Sequence, residues 1–292
     1  MKPISKVSLW VEGARPKTIP AAVVPVLVGT SSVDTDLNLY RFLLALVVSI
    51  SLQVGVNYAN DYSDGIRGTD KDRAGPRRLV GSQLINPEKV KLAAALSFLL
   101  AAIAGLLLAV AVSLWLIAIG CLAILAAWFY TGGSKPYGYS GFGEISVFIF
   151  FGLVATVGSA FVQSERVETT AILCSIAVGF LATALLVTNN LRDIETDSNT
   201  GKQTLAVRLG RSGTQTLYAF LLIGALALNV LIAFLYTYLA LIVLVSLPLT
   251  LKLSYDVYSK LESTNLIKVL ENTAKLHLLS GLLLSIGLVL GL

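Results

Sequence analysis

Charge is what this sequence has least of. Only 13% of its 292 residues are Asp, Glu, Lys or Arg, 55% are hydrophobic, and mean hydropathy is +0.79. That balance lies far outside the soluble globular range and reads as an integral membrane protein. Histidine and cysteine are nearly missing as well: His277 is the lone histidine, and Cys121 and Cys174 both fall inside apolar runs. A disulfide framework or a His/Cys metal centre therefore finds no support, and all three read as packing residues. Strict apolar-polar alternation is also lacking, which removes a transmembrane β-barrel. No basic stripe suggests nucleic acid as a partner.

What is there is a series of long apolar runs, rich in Leu and Ala, each approaching the ~20 residues needed to cross a bilayer. They lie at about 18–33, 39–62, 91–112, 113–130, 144–163, 169–191, 213–234, 236–254 and 272–292. The expectation is an all-α integral membrane protein of nine transmembrane helices around a central cavity. It would be one domain, 1–292, with motif-bearing halves of roughly 1–140 and 141–292. Pro16, Pro20 and Pro25 predict a bent first span. Of the 22 lysines and arginines, all but Arg41 and Arg166 fall on the side of the N-terminus in a nine-span topology. The positive-inside rule then places the N-terminus in the cytoplasm, in a cell inner (cytoplasmic) membrane.

The stretch from Asn57 to Leu79 ends the second run and carries Asp61, Asp64, Asp70 and Asp72, whereas Phe42 to Gly55 has no ionisable residue. On a continuing helix, Asn60 and Asp64 share one face, and Asp61 sits on an adjoining one. N-N-L-R-D-I-E-T-D at 189–197 repeats the arrangement at an offset of 129 residues, setting Asn190 on Asp61 and Asp193 on Asp64, with Asp197 one turn later. Acids this close to membrane depth are costly and usually functional. Converging oxygen ligands repel unless a hard cation such as Mg²⁺ neutralises them, typically together with substrate phosphates. Asn60, Asp61, Asp64, Asp70, Asn190, Asp193 and Asp197 are the candidate metal ligands. Both clusters fall on the cytoplasmic face.

Gln53, Asn57, Asn60 and Asp64 recur at i, i+4, i+7 and i+11, an uncharged stripe that ends in an acid and predicts a pocket below it. The loop from Gly65 to Lys91 interleaves acids with Arg67, Arg77 and Arg78 and reads as a lid over a phosphate-and-metal site. Residues 130–144 bring Tyr130, Lys135, Tyr137 and Tyr139 to the same side, candidates for an aromatic acid or a phosphate. Lys202 follows the second acidic cluster and suits a phosphate bridged by metal. The last three runs look like scaffold.

Taken together, N-D-Y-S-D-G-I-R-G-T-D and N-N-L-R-D-I-E-T-D-S-N-T-G-K-Q-T-L-A resemble the two aspartate-rich motifs of the UbiA superfamily of intramembrane prenyltransferases. R-P-K-T-I-P-A, G-P-R-R-L-V and T-G-G-S-K-P-Y-G-Y are similar to its 1,4-dihydroxy-2-naphthoate polyprenyltransferase branch. Gln53 departs from other members, which carry arginine there. The resemblance implies transfer of a polyprenyl group from polyprenyl diphosphate to 1,4-dihydroxy-2-naphthoate, with loss of CO₂, giving demethylmenaquinone. It implies Asp61, Asp64, Asp193, Asp197 and Lys135 as catalytic residues. Gln53, Asn57, Asn60, Arg67, Arg78, Tyr130, Tyr137, Tyr139, Asn190 and Lys202 would bind substrate, with Mg²⁺ as cofactor and the lipid bilayer housing the tail. Two other readings remain: a UbiA-type transferase using another aromatic acceptor or a phytyl or geranylgeranyl donor, and an ion or metabolite transporter. Transporters usually bind near the bilayer midplane rather than at one face.

Overall fold

The computed structural model describes residues 5–69, 77–259 and 263–292. Among the described residues all regular structure is helical and there is no strand. A short helix α1 (Lys6–Ala14) passes through a 3₁₀ turn at Pro16–Thr18 into α2 (Pro20–Ser31). There follow α3 (Leu39–Arg67), α4 (Pro87–Ala111), α5 (Trp115–Phe129), α6 (Gly143–Ser164), α7 (Thr169–Asn199), α8 (Leu205–Leu235), α9 (Tyr238–Ser259) and α10 (Ser263–Gly291).

Helices stand on all nine apolar runs, but seven of them, α3, α4 and α6 to α10, have the length and composition to cross a membrane unaided. With 12 and 15 residues, α2 and α5 rise only ~18 and ~22 Å, against a hydrocarbon core of ~30 Å. The cause is local. Pro16 and Pro20 confine the chain before α2 to a 3₁₀ turn, with Arg15 in the left-handed region at φ 53°, and α4 ends at Val112 before α5 begins.

Element boundaries follow from capping chemistry. The Asn38 side chain accepts the Arg41 N–H at 3.1 Å to start α3, and Gly68, at φ 72°, ends it as only glycine does cheaply. Asn86 caps α4, with Pro87 in the first turn, where its missing N–H costs nothing.

Close approach of small residues holds the bundle together, the expected device where lipid tails are as apolar as the helix faces. A Cβ on Gly29 would lie 2.1 Å from the Thr156 carbonyl oxygen, so α2 meets α6 backbone to backbone. α7 is the central helix: 72% of its most apolar window is buried, against 28–50% for the other spanning helices. α5 lies at the other extreme, with no buried residue and with Trp115 and Leu122 exposed on the outside of the bundle. At one end of the bundle Arg41 donates to the carbonyls of Val162 and Ala111 and pairs with Glu165 at 2.8 Å. The C-terminal ends of α3 and α7, which carry the acidic motifs, lie together at the other end.

Candidate functional site

A cavity of about 580 Å³ runs from those acidic ends down between α2, α3, α5, α6 and α7. Its upper wall carries Gln53, Asn57, Asn60 and Asp64 from α3 and Asn189, Asn190, Asp193 and Asp197 from α7. The four-residue stripe on α3 therefore lines the cavity along its whole length. Deeper down the lining becomes apolar or small, with Ala45, Leu108, Leu116, Gly120, Phe150, Phe151 and Val162.

Lys202 joins the two motifs. Its ammonium lies 3.4 Å from one Asp64 oxygen and 3.8 Å from one Asp197 oxygen, and 4.5 Å above the Tyr139 ring. The Tyr139 hydroxyl donates to the same Asp64 oxygen. Burial, and next the Asp64 charge, push the Tyr139 phenol above its ordinary value, so it keeps the proton that it donates to Asp64. The loop carrying Lys202 is pinned in turn, because the Gln203 N–H donates to the Tyr139 carbonyl at 2.8 Å. Asp193 is clamped by Arg192, whose Nε and Nη2 each lie 2.7 Å from a carboxylate oxygen. Arg192 also donates to Asn189 at 2.8 Å.

Thr131 donates to Asn60 at 2.8 Å, and Asn190 donates to Glu144 at 2.9 Å. Tyr130 packs edge-on against Tyr137, whose hydroxyl reaches the Ala126 carbonyl at 2.8 Å. Both tyrosines line the cavity, and burial raises the Tyr137 phenol above its ordinary value. Arg78 also lines it.

The structure places several of the expected site residues away from the cavity. Asp61 does not reach the cavity: its two oxygens accept the N–H groups of Leu79 and Val80 at 2.9 and 3.0 Å. Residues 77–86, expected as part of a lid, are thereby tucked down, with Leu79 and Val80 buried and Val80 against Gly65. Arg67 is spent on the carbonyls of Thr131 and Gly133 and holds the 130–141 segment in place. Lys135 is exposed at the tip of that segment, outside the cavity lining. Asp70 lies outside the described residues. Among the described residues no three His, Cys, Asp or Glu side chains converge as a ready-made metal cage, because each acid already faces a protein cation or amide. Sequence reasoning passed over Arg15, Thr18, Thr131, Glu144 and Asn189. Only Asn189 had a signal, its match to Asn60 in the repeat.

Known proteins resemble this chain closely. A model described as the UbiA prenyltransferase family matches residues 19–279. The 1,4-dihydroxy-2-naphthoate octaprenyltransferase of Mycobacterium tuberculosis is 48% identical over 97% of both chains. The protein of the same name from Escherichia coli is 38% identical over 98% of this chain and 97% of its own. In fold the chain is similar to a UbiA homologue from Archaeoglobus fulgidus solved with DMAPP and Mg²⁺, with a TM-score of 0.68 at 15% identity over 96% of this chain and 100% of that one. It is also similar to a digeranylgeranylglyceryl phosphate synthase, with a TM-score of 0.62 at 17% identity over 98% and 99%.

Proposed function

The chain belongs to the UbiA prenyltransferase family, and from that premise we propose that it transfers a polyprenyl group from polyprenyl diphosphate to 1,4-dihydroxy-2-naphthoate, releasing CO₂ and diphosphate and forming demethylmenaquinone. The observation that carries this reading is Lys202, whose ammonium lies within 4 Å of one carboxylate from each motif at the mouth of the cavity. A cation already occupies the gap between Asp64 and Asp197, so the two acids stand close enough to share one.

That placement makes the donor set fit Mg²⁺. Asp64, Asp193 and Asp197, with Asn60 and Asn190 beside them, are the proposed oxygen ligands, and Asp61 is left to the loop it anchors. Bound there, Mg²⁺ supplies charge to stabilise the departing diphosphate, the main electrostatic task of the reaction. Lys202, Arg192 and Arg78 add charge-assisted hydrogen bonds to the phosphates. The chain's other contribution is exclusion of water. Breaking the allylic C–O bond creates a cation that water would capture, and the apolar lining around Phe150 and Phe151 keeps it dry. The ring carbon supplies the electron pair for the new C–C bond, loss of CO₂ returns a pair to the ring, and no net proton is released.

In the bilayer α2 and α5 complete nine crossings with the turns that flank them, the membrane thinning slightly around them. The basic residues set the N-terminus and the cavity mouth on the cytoplasmic side. The donor's tail follows the apolar part of the cavity. The packing of α7 from the second motif-bearing half on α2 from the first supports reading both as one domain.

Membranes containing the protein, given dihydroxynaphthoate and a set of polyprenyl diphosphates, are expected to yield prenylated naphthol identified by mass. EDTA should stop the reaction and Mg²⁺ restore it. Undiminished turnover in chelator, or no product from the naphthoate, overturns the reading.

A further inference from the structure

The Arg15 guanidinium has no assigned task, and its setting is unusual for an idle side chain. Arg15 lines the same cavity as the acids. Its Nη2 is sealed from solvent and meets no acceptor among the described residues. A buried N–H donor left without an acceptor is costly, so such groups in native structures call for a ligand or other partner. Three other cations of the lining are engaged: Lys17 with Glu271 at 2.6 Å, Arg192 with Asp193, and Lys202 with Asp64 and Asp197.

The backbone of Arg15 is built into place. The residue is held at φ 53°, ψ 69° between α1 and the 3₁₀ turn, a left-handed conformation unfavourable for a side chain this large. Its N–H donates to the Glu12 carbonyl at 3.1 Å, and its own carbonyl accepts the N–H and the hydroxyl of Thr18, both at 2.9 Å. The Thr18 hydroxyl then accepts from Gln53 at 2.8 Å and from Asn57 at 3.1 Å. Asn57 also reaches the Ala14 carbonyl at 2.9 Å. Two members of the α3 stripe are thus occupied in fixing the segment that presents Arg15.

The level of this network in the cavity separates it from the acids. Asn57 precedes Asp64 by seven residues, about 10 Å along a helix. A diphosphate drawn to Asp64 and Asp197 would sit at the upper end, and an aromatic acceptor would lie beneath it.

We propose that Arg15 is the carboxylate-binding residue of the acceptor pocket, its planar guanidinium pairing with the naphthoate carboxylate so that the ring is presented to the prenyl carbon. This inference rests on the proposed function. Guanidinium matches a carboxylate with two parallel N–H donors, which fixes orientation as well as charge. An ammonium at the same place would supply the charge without the fork.

The test separates acceptor from donor. In Arg15→Gln, KM for dihydroxynaphthoate is expected to rise about 10- to 100-fold, the loss of one charge-assisted pair, with KM for the polyprenyl diphosphate unchanged within about twofold. Arg15→Lys should fall between the two. Inhibition by 1-hydroxy-2-naphthoate should weaken in parallel, while inhibition by 1-naphthol, which has no carboxylate, should not move. Unchanged donor KM also shows that the variant is folded. A rise confined to donor KM overturns the proposal, as do equal losses for the two inhibitors or no change in either variant. Failure of the unaltered protein to use the naphthoate sinks the proposed function and this inference together. Normal turnover with an indifferent Arg15 sinks the inference alone.

Discussion

Replacing Asp61 and Asp64 separately by asparagine should split stability from chemistry, although the two lie three residues apart on one helix. Asp61 is 1% exposed and accepts two backbone N–H groups, one on each oxygen. Asparagine keeps one acceptor and turns an NH₂ toward the other donor. One hydrogen bond to a charged group, ~1.5–3 kcal/mol, is lost, and the N–H of Leu79 or Val80 is left buried and unmatched. A total of about 3 kcal/mol corresponds to a drop of roughly 5–10 °C in midpoint for a chain of this size. The cavity loses nothing, so kcat of the folded fraction should stay within a few-fold.

Asp64→Asn should do the reverse. Its carboxylate faces the Lys202 ammonium at 3.4 Å, and Asp197 faces the same ammonium at 3.8 Å. Removing one of two like charges leaves Lys202 paired with Asp197 and relieves repulsion between the acids, which offsets most of the lost attraction. The midpoint should move by only ~1 kcal/mol equivalent. The rate should fall on the order of a thousandfold, the loss expected for one preorganised electrostatic group at a leaving group. Thermal unfolding in detergent and product formation at saturating Mg²⁺ measure the two axes. If Asp61→Asn abolishes turnover with its midpoint intact, or Asp64→Asn turns over normally, the assignment of roles on α3 is wrong.

Two further changes test other parts of the argument. Lys202→Met, which removes the cation between Asp64 and Asp197, should tighten divalent-metal binding in the absence of substrate, read by Mn²⁺ electron paramagnetic resonance, yet raise donor KM about tenfold or more. Unchanged metal affinity would separate those two acids from metal binding. Gly29→Leu should lower the unfolding midpoint by the equivalent of ~1–3 kcal/mol or more, because a Cβ there meets the Thr156 carbonyl at 2.1 Å; a midpoint equal to that of the unaltered protein would show that α2 and α6 do not touch.

How much of this was legible in the sequence differs from residue to residue. The spacing of Gln53, Asn57, Asn60 and Asp64 marks one helix face, and that face lines the cavity. The same phase already sets Asp61 on a neighbouring face, so periodicity alone separates it from Asp64. What the sequence hides is where Asp61 then goes, because its partners are backbone N–H groups and carry no residue signature. Arg67 was obscure for the same reason, since its partners are the carbonyls of Thr131 and Gly133. Lys135 looked equivalent to Lys202, as each lies in a short loop expected on the same side as the aspartates. Only the fold decides that one points outward while the other bridges two motifs. The expected runs at 18–33 and 113–130 exceed α2 and α5 because hydropathy continues through Ile19 and Val33 and through Leu114 and Tyr130, where the helix does not.

Charge balance accounts for the lack of a preformed cage among the described residues. Asp64, Asp193 and Asp197 stand in a largely buried site, and without counter-ions their mutual repulsion would oppose the bundle that brings α3 and α7 together. Counted against Lys202 and Arg192 alone, these three acids leave one negative charge. On the proposed reading, two Mg²⁺ ions and a prenyl diphosphate ester of charge −3 bring one positive charge, so the loaded site is neutral. Lys202 and Arg192 are then free to turn toward phosphate oxygens. Cleavage of the ester raises the diphosphate to −4 and returns the site to one unbalanced negative charge. The same two side chains that permit the empty protein to fold would thus favour loading with substrate and loosen the product once the prenyl group has left.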